Sequence, residues 1–290
     1  MKPTFKGWYY KQQANGKTLA VIPGKSSDSA FILVITDTAS YNITYDLSDY
    51  SEDNHKKGGD GKSGILRIGD SSFSNSVIKL RINCDDILLN GDLEYRILTP
   101  IKGDIMGPFR FFPMECRHGI VSMKHDVYGK ITLNGEEMDF NNGVGYIETD
   151  SGISFPEGYT WIHCNDFKEN CSIMAAVAKI PFMGLHFWGC ICVIWIDGKE
   201  YRLATYKGAK ILQCEHNIIK LKQGEYILTV KANQQNAHNL AAPKFGAMSR
   251  IIKESPSCPA EFLFTKKDNV IFSGESMYAS YEYMMDGVLF

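Results

Sequence analysis

Short apolar runs separated by turn residues recur along the whole chain. Runs rich in β-branched and aromatic residues include FILVIT at 31–36, VIKLRI at 77–82, CICVIWI at 190–196 and EYILTV at 225–230. Such runs are typical of β-strands. We find no long apolar stripe at helical spacing, and only PKFGAMSRIIKES at 243–255 suggests a short helix.

Three dipeptides predict tight hairpin turns between strands: Asn90-Gly91, Asn134-Gly135 and Asp197-Gly198. Each supplies residues that accept the positive φ angles of such turns. Many short antiparallel strands in 290 residues predict an all-β protein with two sandwiches or barrels in tandem. The glycine-rich stretch NNGVGY at 141–146 is the best candidate boundary, which predicts domains at 1–145 and 146–290 that pack closely against each other.

The charge balance excludes one class of partner. The chain has 31 basic and 33 acidic residues and no basic block that could follow a phosphate backbone, so no nucleic acid is expected. The start of the chain lacks the pattern of a secretion signal, and the longest apolar run is far short of a membrane span. We therefore expect a cytoplasmic protein that is not integral to a membrane, although peripheral contact with lipid is compatible with this pattern.

Eight cysteines are scattered without a CxxC pair, which predicts reduced thiols rather than a disulfide framework. Cys190 and Cys192 share one face of a predicted strand. Because no third or fourth metal ligand lies nearby, two packed apolar residues are a better interpretation than a metal pair.

Residues 111–118, FFPMECRH, combine rings with four polar groups beside predicted strands. If this segment is extended, Glu115 and Arg117 share one face while Cys116 and His118 share the other. Three interpretations remain open: an ion pair on a strand, a zinc site, or the polar wall of a ligand pocket. The zinc site lacks a recognised ligand spacing.

A second polar cluster lies at 145–167. Tyr146, Glu148 and Asp150 alternate along one predicted strand, and Trp161, His163 and Asn165 alternate along the next, so the two sets converge if the strands pair. A carboxyl group among aromatic rings suits general acid chemistry, because an apolar environment disfavours its ionised form. Loops with capping carboxylates give a similar pattern.

With both clusters in view, the sequence resembles the tocopherol cyclase family over nearly its whole length. The matching stretches are GWYYK at 7–11, Pro-Gly at 23–24, IMGPFRFFPMECRHGIVSMKH at 105–125, NGEEMDFNNGVGYIE at 134–148, SFPEGYTWIHCNDF at 154–167 and YRLATYKGAKI at 201–211. The resemblance implies two lipocalin-like β domains with a ligand pocket near their contact. It also implies protonation of a prenyl double bond and capture of the carbocation by a phenolic hydroxyl, with no cofactor and no metal.

Read as a cyclase-like protein, the chain has candidates for each role in its polar clusters. Glu148 or Asp150 is the expected acid, and His163, placed across the predicted turn, is expected to return a proton to it. The expected ligand-binding residues are Phe112, Glu115, Arg117, His118, Tyr146, Trp161 and Asn165. The chain departs from the family where Thr149 and Ser151 replace the usual lysine and tryptophan, and where His163 replaces a glutamine.

The implied partner is a hydrophobic small molecule, a prenylated aromatic compound or a polyene. Two other function classes remain open from the sequence. One is a non-catalytic lipocalin-like carrier with the same pocket lining, and the other is an interaction module without a ligand.

Overall fold

The computed structural model describes residues 4–53, 64–182 and 184–285, and the regular secondary structure of this part of the chain is almost entirely β-strand. Its strands form two large antiparallel sheets, one of 12 strands and one of 10. The predicted all-β fold class is therefore confirmed.

The first sheet contains the strands up to residue 152. These are β1 Phe5–Ala14, β2 Lys17–Lys25, β3 Ala30–Thr36, β4 Ser40–Tyr45, β5 Tyr50–Glu52, β6 Leu66–Ile68, β7 Ser71–Phe73, β8 Val77–Cys84, β9 Ile87–Arg96, β10 Cys116–Leu133, β11 Glu136–Asp139 and β12 Gly143–Gly152. Their order is β4-β3-β2-β1-β12-β10-β9-β8-β7-β6-β5, with β11 paired to β10. The long strand β10 pairs with both β12 and β9, so it links the two halves of this sheet.

The second sheet contains the strands from residue 159 onward. These are β13 Tyr159–Cys164, β14 Cys171–Phe182, β15 Leu185–Ile196, β16 Lys199–Ala204, β17 Lys210–Glu215, β18 Ile218–Gln223, β19 Tyr226–Ala232, β20 His238–Lys244, β21 Ala247–Lys266 and β22 Asn269–Met284. Their order is β16-β15-β14-β13-β22-β21-β19-β18-β17, with β20 paired to β21. Short 3₁₀ turns lie at Leu47–Asp49, Gly107–Phe111 and Thr205–Lys207.

Along the strands that the structure describes, neither sheet closes into a barrel. Of the two predicted architectures, the sandwich is therefore the one that applies. The strand order of the first sheet begins at β4 and ends at β5, yet Ile43 of β4 and Leu66 of β6 lie in one apolar cluster. The sheet must therefore fold over onto itself to bury its inner face. The predicted division at 145/146 falls inside β12 and remains a prediction.

Three apolar clusters organise the molecule. One lies inside the first sheet and one inside the second, while the third joins residues of both sheets at their contact. Strand alternation decides which cluster a residue joins: Ile147 points into the first sheet, whereas Tyr146 points toward the second. The even-numbered residues of β12 therefore face the contact between the sheets.

The segment predicted to form a short helix, 243–255, is instead the hairpin between β20 and β21. Phe245 and Gly246 both have positive φ, 51° and 82°, as a tight hairpin turn requires. Beyond the turn, Ile251 is 59% exposed and Ile252 only 4%, so the apolar residues follow the two-residue period of a strand.

Two of the three predicted hairpin turns are confirmed. Asn134-Gly135 and Asp197-Gly198 have positive φ and join β10 to β11 and β15 to β16. The third prediction is wrong, because β9 runs straight through Asn90-Gly91. Gly91 lies against β10 so closely that a Cβ atom would be 2.3 Å from the carbonyl oxygen of Lys130. Position 91 requires glycine because of this close approach and not because of a turn.

All eight cysteines are free thiols, as predicted. Cys190 and Cys192 are both buried in the apolar cluster of the second sheet. Within the described residues, no helix is long and apolar enough to span a bilayer.

Candidate functional site

Two acids and a histidine meet at the contact between the sheets. Glu148 and Asp150 lie on the same face of β12, and His118 of β10 is the register partner of Asp150. The Nδ1 atom of His118 is 3.1 Å from Oδ1 of Asp150, and its Nε2 atom is 3.4 Å from Oε2 of Glu148. The imidazole therefore lies between the two carboxyl groups.

Glu148 is also held by two aromatic side chains, one from each sheet. The Tyr146 hydroxyl donates a hydrogen bond of 2.5 Å to Oε2 of Glu148. The indole Nε1 of Trp161, on β13, donates to the same oxygen at 3.2 Å. Glu148 is only 5% exposed, so its carboxyl group is fixed in a largely dry site.

A second pair of acids completes the cluster, and the sequence reasoning missed both. Glu254 and Glu282 are register partners on β21 and β22, 1% and 9% exposed. The Tyr9 hydroxyl donates to Glu254 at 2.5 Å, and the Tyr159 hydroxyl donates to Glu282. The only sequence signal was an acid at an inward strand position next to apolar or aromatic residues. That signal does not show which acids meet.

Burial keeps several of these acids neutral near pH 7. Burial raises the pKa of Glu148 to about 7. Nearby Asp150 adds to this rise, whereas His118 opposes it. Burial also raises the pKa values of Glu254 and Glu282, each to about 8, and Glu282 adds to the rise at Glu254. A low-polarity environment disfavours the charged form of a carboxyl group, so protons remain available here.

The cluster favours the charged form of His118, whereas it disfavours the charged form of the acids. Burial alone would lower its pKa, but the carboxyl groups of Glu148 and Asp150 outweigh that effect and raise the pKa to about 9. The imidazole is therefore a cation at neutral pH. It balances negative charge in a cluster that would otherwise repel itself.

An apolar cavity of about 140 Å³ opens onto this cluster. Met106, Phe109, Met114, Phe155, Ala178 and Ile191 form part of its apolar wall. Its polar residues include His118, Glu148, Asp150 and Glu282. The volume is close to that of a cavity of about 150 Å³ known to bind benzene, so one aromatic ring fits.

Five of the predicted site residues line this cavity: Glu115, His118, Glu148, Asp150 and Trp161. Three others lie behind its wall. Tyr146 contacts Glu148 from within the packed contact between the sheets. His163 stacks on the Tyr146 ring with 3.7 Å between ring centroids, and Asn165 donates to the carbonyl oxygen of Gly145 at 2.9 Å. Burial lowers the pKa of His163 well below its ordinary value, so its imidazole is neutral.

Phe112 and Arg117 lie at the surface. Phe112 is 42% exposed and packs beside Phe109, and Arg117 donates to the Phe112 carbonyl oxygen at 3.4 Å. Among the ion pairs of the described residues, none joins Glu115 to Arg117. Glu115 precedes the first residue of β10, so the strand alternation assumed for that pair does not apply to it.

The departures from the family pattern also have positions. Ser151 follows Asp150 on β12 and, by strand alternation, faces away from the carboxyl cluster. A tryptophan there would lie on the opposite side of the strand from Glu148. The ring beside the acid is supplied instead by Trp161.

The same groups are spaced for metal binding. Ligand atoms of His118, Glu148 and Asp150 all lie within 4.8 Å of one another. A metal ion needs a neutral imidazole and ionised carboxylates, whereas His118 is protonated and Glu148 half neutral near pH 7. A metal ion bound here would therefore have to displace these protons.

Comparisons with known proteins identify the family and the fold. A model of the tocopherol cyclase-like family matches residues 105–282. No curated protein matches the chain in sequence.

Several solved structures share the fold. CghA in complex with Sch210972 has a TM-score of 0.63 at 9% identity, covering 98% of this chain and 89% of that one. Kievitone hydratase from Nectria haematococca has a TM-score of 0.55 at 11% identity, with 97% and 89% covered. A candidate AttH from Nitrosomonas europaea has a TM-score of 0.52 at 11% identity, with 98% and 93% covered. At these identities the likeness shows the fold alone.

Proposed function

This chain belongs to the tocopherol cyclase-like family, and from that premise we propose that it closes a ring in a prenylated phenol or quinol by acid catalysis. The observation that carries the proposal is a buried Glu148, about half neutral near pH 7, at the end of an apolar cavity of about 140 Å³. The proposal calls for no cofactor.

The step is an internal addition of a phenolic O–H across a C=C bond. The O–H bond of Glu148 breaks, and its proton goes to the less substituted alkene carbon, which leaves positive charge on the more substituted carbon. The phenolic oxygen attacks that carbon and forms the new C–O bond. The phenolic proton then returns to the Glu148 carboxylate, so atoms and charge balance without a co-reactant.

The surroundings of Glu148 suit this step. Asp150 and Trp161 both line the cavity, where a carboxyl group and an aromatic ring are suited to stabilise a developing cation. The cavity walls are otherwise mainly apolar, which excludes water that would intercept the carbocation. The same protonation followed by attack of a water molecule would be a hydration, the reaction class for which one structural neighbour, kievitone hydratase, is named.

The test separates the acid from the binding site. Glu148→Gln keeps an acceptor oxygen for Tyr146 and Trp161 but has no proton to give. We expect it to bind prenylated quinols almost as well as the unmutated protein, by thermal shift, and to form cyclised product at least about a hundredfold more slowly. Asp150→Asn and Glu282→Gln, measured in parallel, show whether another acid of the cluster donates the proton.

Product analysis decides between the functions. If the unmutated protein binds prenylated quinols but forms no cyclised or hydrated product, the carrier function is correct. If prenylated quinols and their head groups change the thermal stability equally or not at all, the interaction module is favoured over both the cyclase and the carrier. Normal turnover by Glu148→Gln would assign the acid to another residue.

A further inference from the structure

A second, smaller cavity of about 60 Å³ lies on the other side of the carboxyl cluster. Four residues line both cavities: Glu148, Asp150, Phe155 and Glu282. The acids therefore form a partition with space on each side. The first cavity is bounded largely by β14 and β15, and the second by strands β1–β3 and β20–β21.

The second cavity exists because β1 has a glycine facing the contact between the sheets. Gly7 is the register partner of Asp150, and its neighbours on the same face, Phe5 and Tyr9, are both aromatic. A Cβ atom at Gly7 would have its nearest contacts at 3.8 Å, with the Phe31 ring and the Pro23 carbonyl oxygen. That distance is ordinary van der Waals contact, so the position accepts a methyl group that the sequence does not supply.

The walls of the second cavity are apolar apart from the acids and the Tyr9 hydroxyl. Ile22, Leu33, Met248 and Ile252 contribute to them. Leu33 and Ile252 are 3% and 4% exposed, so a group placed here leaves water almost completely. Hydrocarbon is the chemistry that such walls recognise.

We propose that the second cavity is a subsite for the apolar chain of the substrate beyond the reacting double bond, with the aromatic ring in the first cavity and the acids between them. The inference rests on the proposed function and deepens it. It explains how a site whose first cavity holds only one ring accepts a substrate with a longer chain. It also places the reacting bond beside Glu148, because that carboxyl borders both spaces.

The volume sets the size of the chain-length effect that this subsite should produce. A space of about 60 Å³ accepts at least two methylene groups, at about 30 Å³ for a water-sized volume. Each buried methylene group strengthens binding about fourfold, so two give about 15-fold.

The test uses two hydroquinones with saturated chains, which bind but cannot be protonated: one with a five-carbon isopentyl chain and one with a ten-carbon 3,7-dimethyloctyl chain. Affinities are measured by isothermal titration calorimetry. We expect the unmutated protein to bind the ten-carbon compound at least about 15-fold more tightly. Gly7→Val fills the second cavity and should reduce that ratio to about fourfold or less, with the affinity for the five-carbon compound changed less than about twofold.

Two further variants keep the result interpretable. Gly7→Ala adds one carbon at a position with normal contact distances, so it folds if Gly7→Val does not, and it should reduce the ratio by about fourfold. Ala178→Val, in the wall of the first cavity, should weaken both compounds alike.

The inference is overturned if both Gly7 variants leave the ratio unchanged, or if Ala178→Val removes it instead. These outcomes leave the proposed function standing, provided that prenylated quinols are still cyclised. If neither hydroquinone binds and no product forms, the proposed function fails and this inference fails with it.

Discussion

Glu282 is neutral in the folded chain, and replacing it with glutamine tests that directly. Burial raises its pKa from 4.5 to about 8. In the unfolded chain the carboxyl group ionises near its ordinary pKa, whereas the folded chain keeps it protonated. The stability that this group contributes is therefore fully present below about pH 4.5 and is lost as the pH rises toward 8.

The size of the effect follows from the linkage between proton binding and folding. Each pH unit in this window lowers the free energy of unfolding by about 1.4 kcal/mol for one retained proton. The Glu282→Gln variant has no such proton and keeps an acceptor for the Tyr159 hydroxyl. Between pH 5.5 and 7.5 we expect the variant to gain roughly 2–3 kcal/mol in free energy of unfolding relative to the unmutated protein. Because Glu282 also raises the pKa of Glu254, the measured gain includes any change at that acid.

Urea unfolding at several pH values, followed by the fluorescence of the four tryptophans, which include the buried Trp161, measures this difference without adding salt. Glu261→Gln is a matched control, because Glu261 is an exposed acid on the same strand pair. It should change the free energy of unfolding by less than about 0.5 kcal/mol at every pH. Parallel pH curves for Glu282→Gln and the unmutated protein would show that Glu282 is ionised when folded, and the account of neutral acids in this cluster would be wrong.

Two other predictions concern single residues. In nitrogen-15 NMR, the His118 imidazole should remain protonated at pH 8 and titrate near pH 9, while His163 stays neutral at pH 5. Asp150→Asn should move the His118 titration to lower pH, and an unchanged titration would show that Asp150 does not raise the His118 pKa. Gly91→Ala should lower the free energy of unfolding in urea by about 2–4 kcal/mol, because its Cβ would meet the Lys130 carbonyl oxygen and its φ is 151°. A loss under about 0.5 kcal/mol would mean that β9 and β10 separate easily at this point.

The sequence alone determined the local features of this protein. The two-residue period placed Glu148 and Asp150 on one face of a strand, because side chains alternate in any extended chain. Asn134-Gly135 and Asp197-Gly198 form the predicted turns, because asparagine, aspartate and glycine accept positive φ more readily than other residues. The ordered motifs were sufficient to indicate the family, which a match over residues 105–282 then showed.

Only the tertiary structure decided which distant residues meet. Glu254 and Glu282 join the acid cluster because β21 pairs with β22 at the contact between the sheets, and nothing near either residue specifies that partner. Gly91 is a residue type typical of turns, but it allows a close contact between strands. Residues 243–255 form a hairpin because strand pairing satisfies the hydrogen bonds of their backbone. Burial, the cavities and the raised pKa values all depend on groups far apart in the chain, so they follow from packing and not from local sequence.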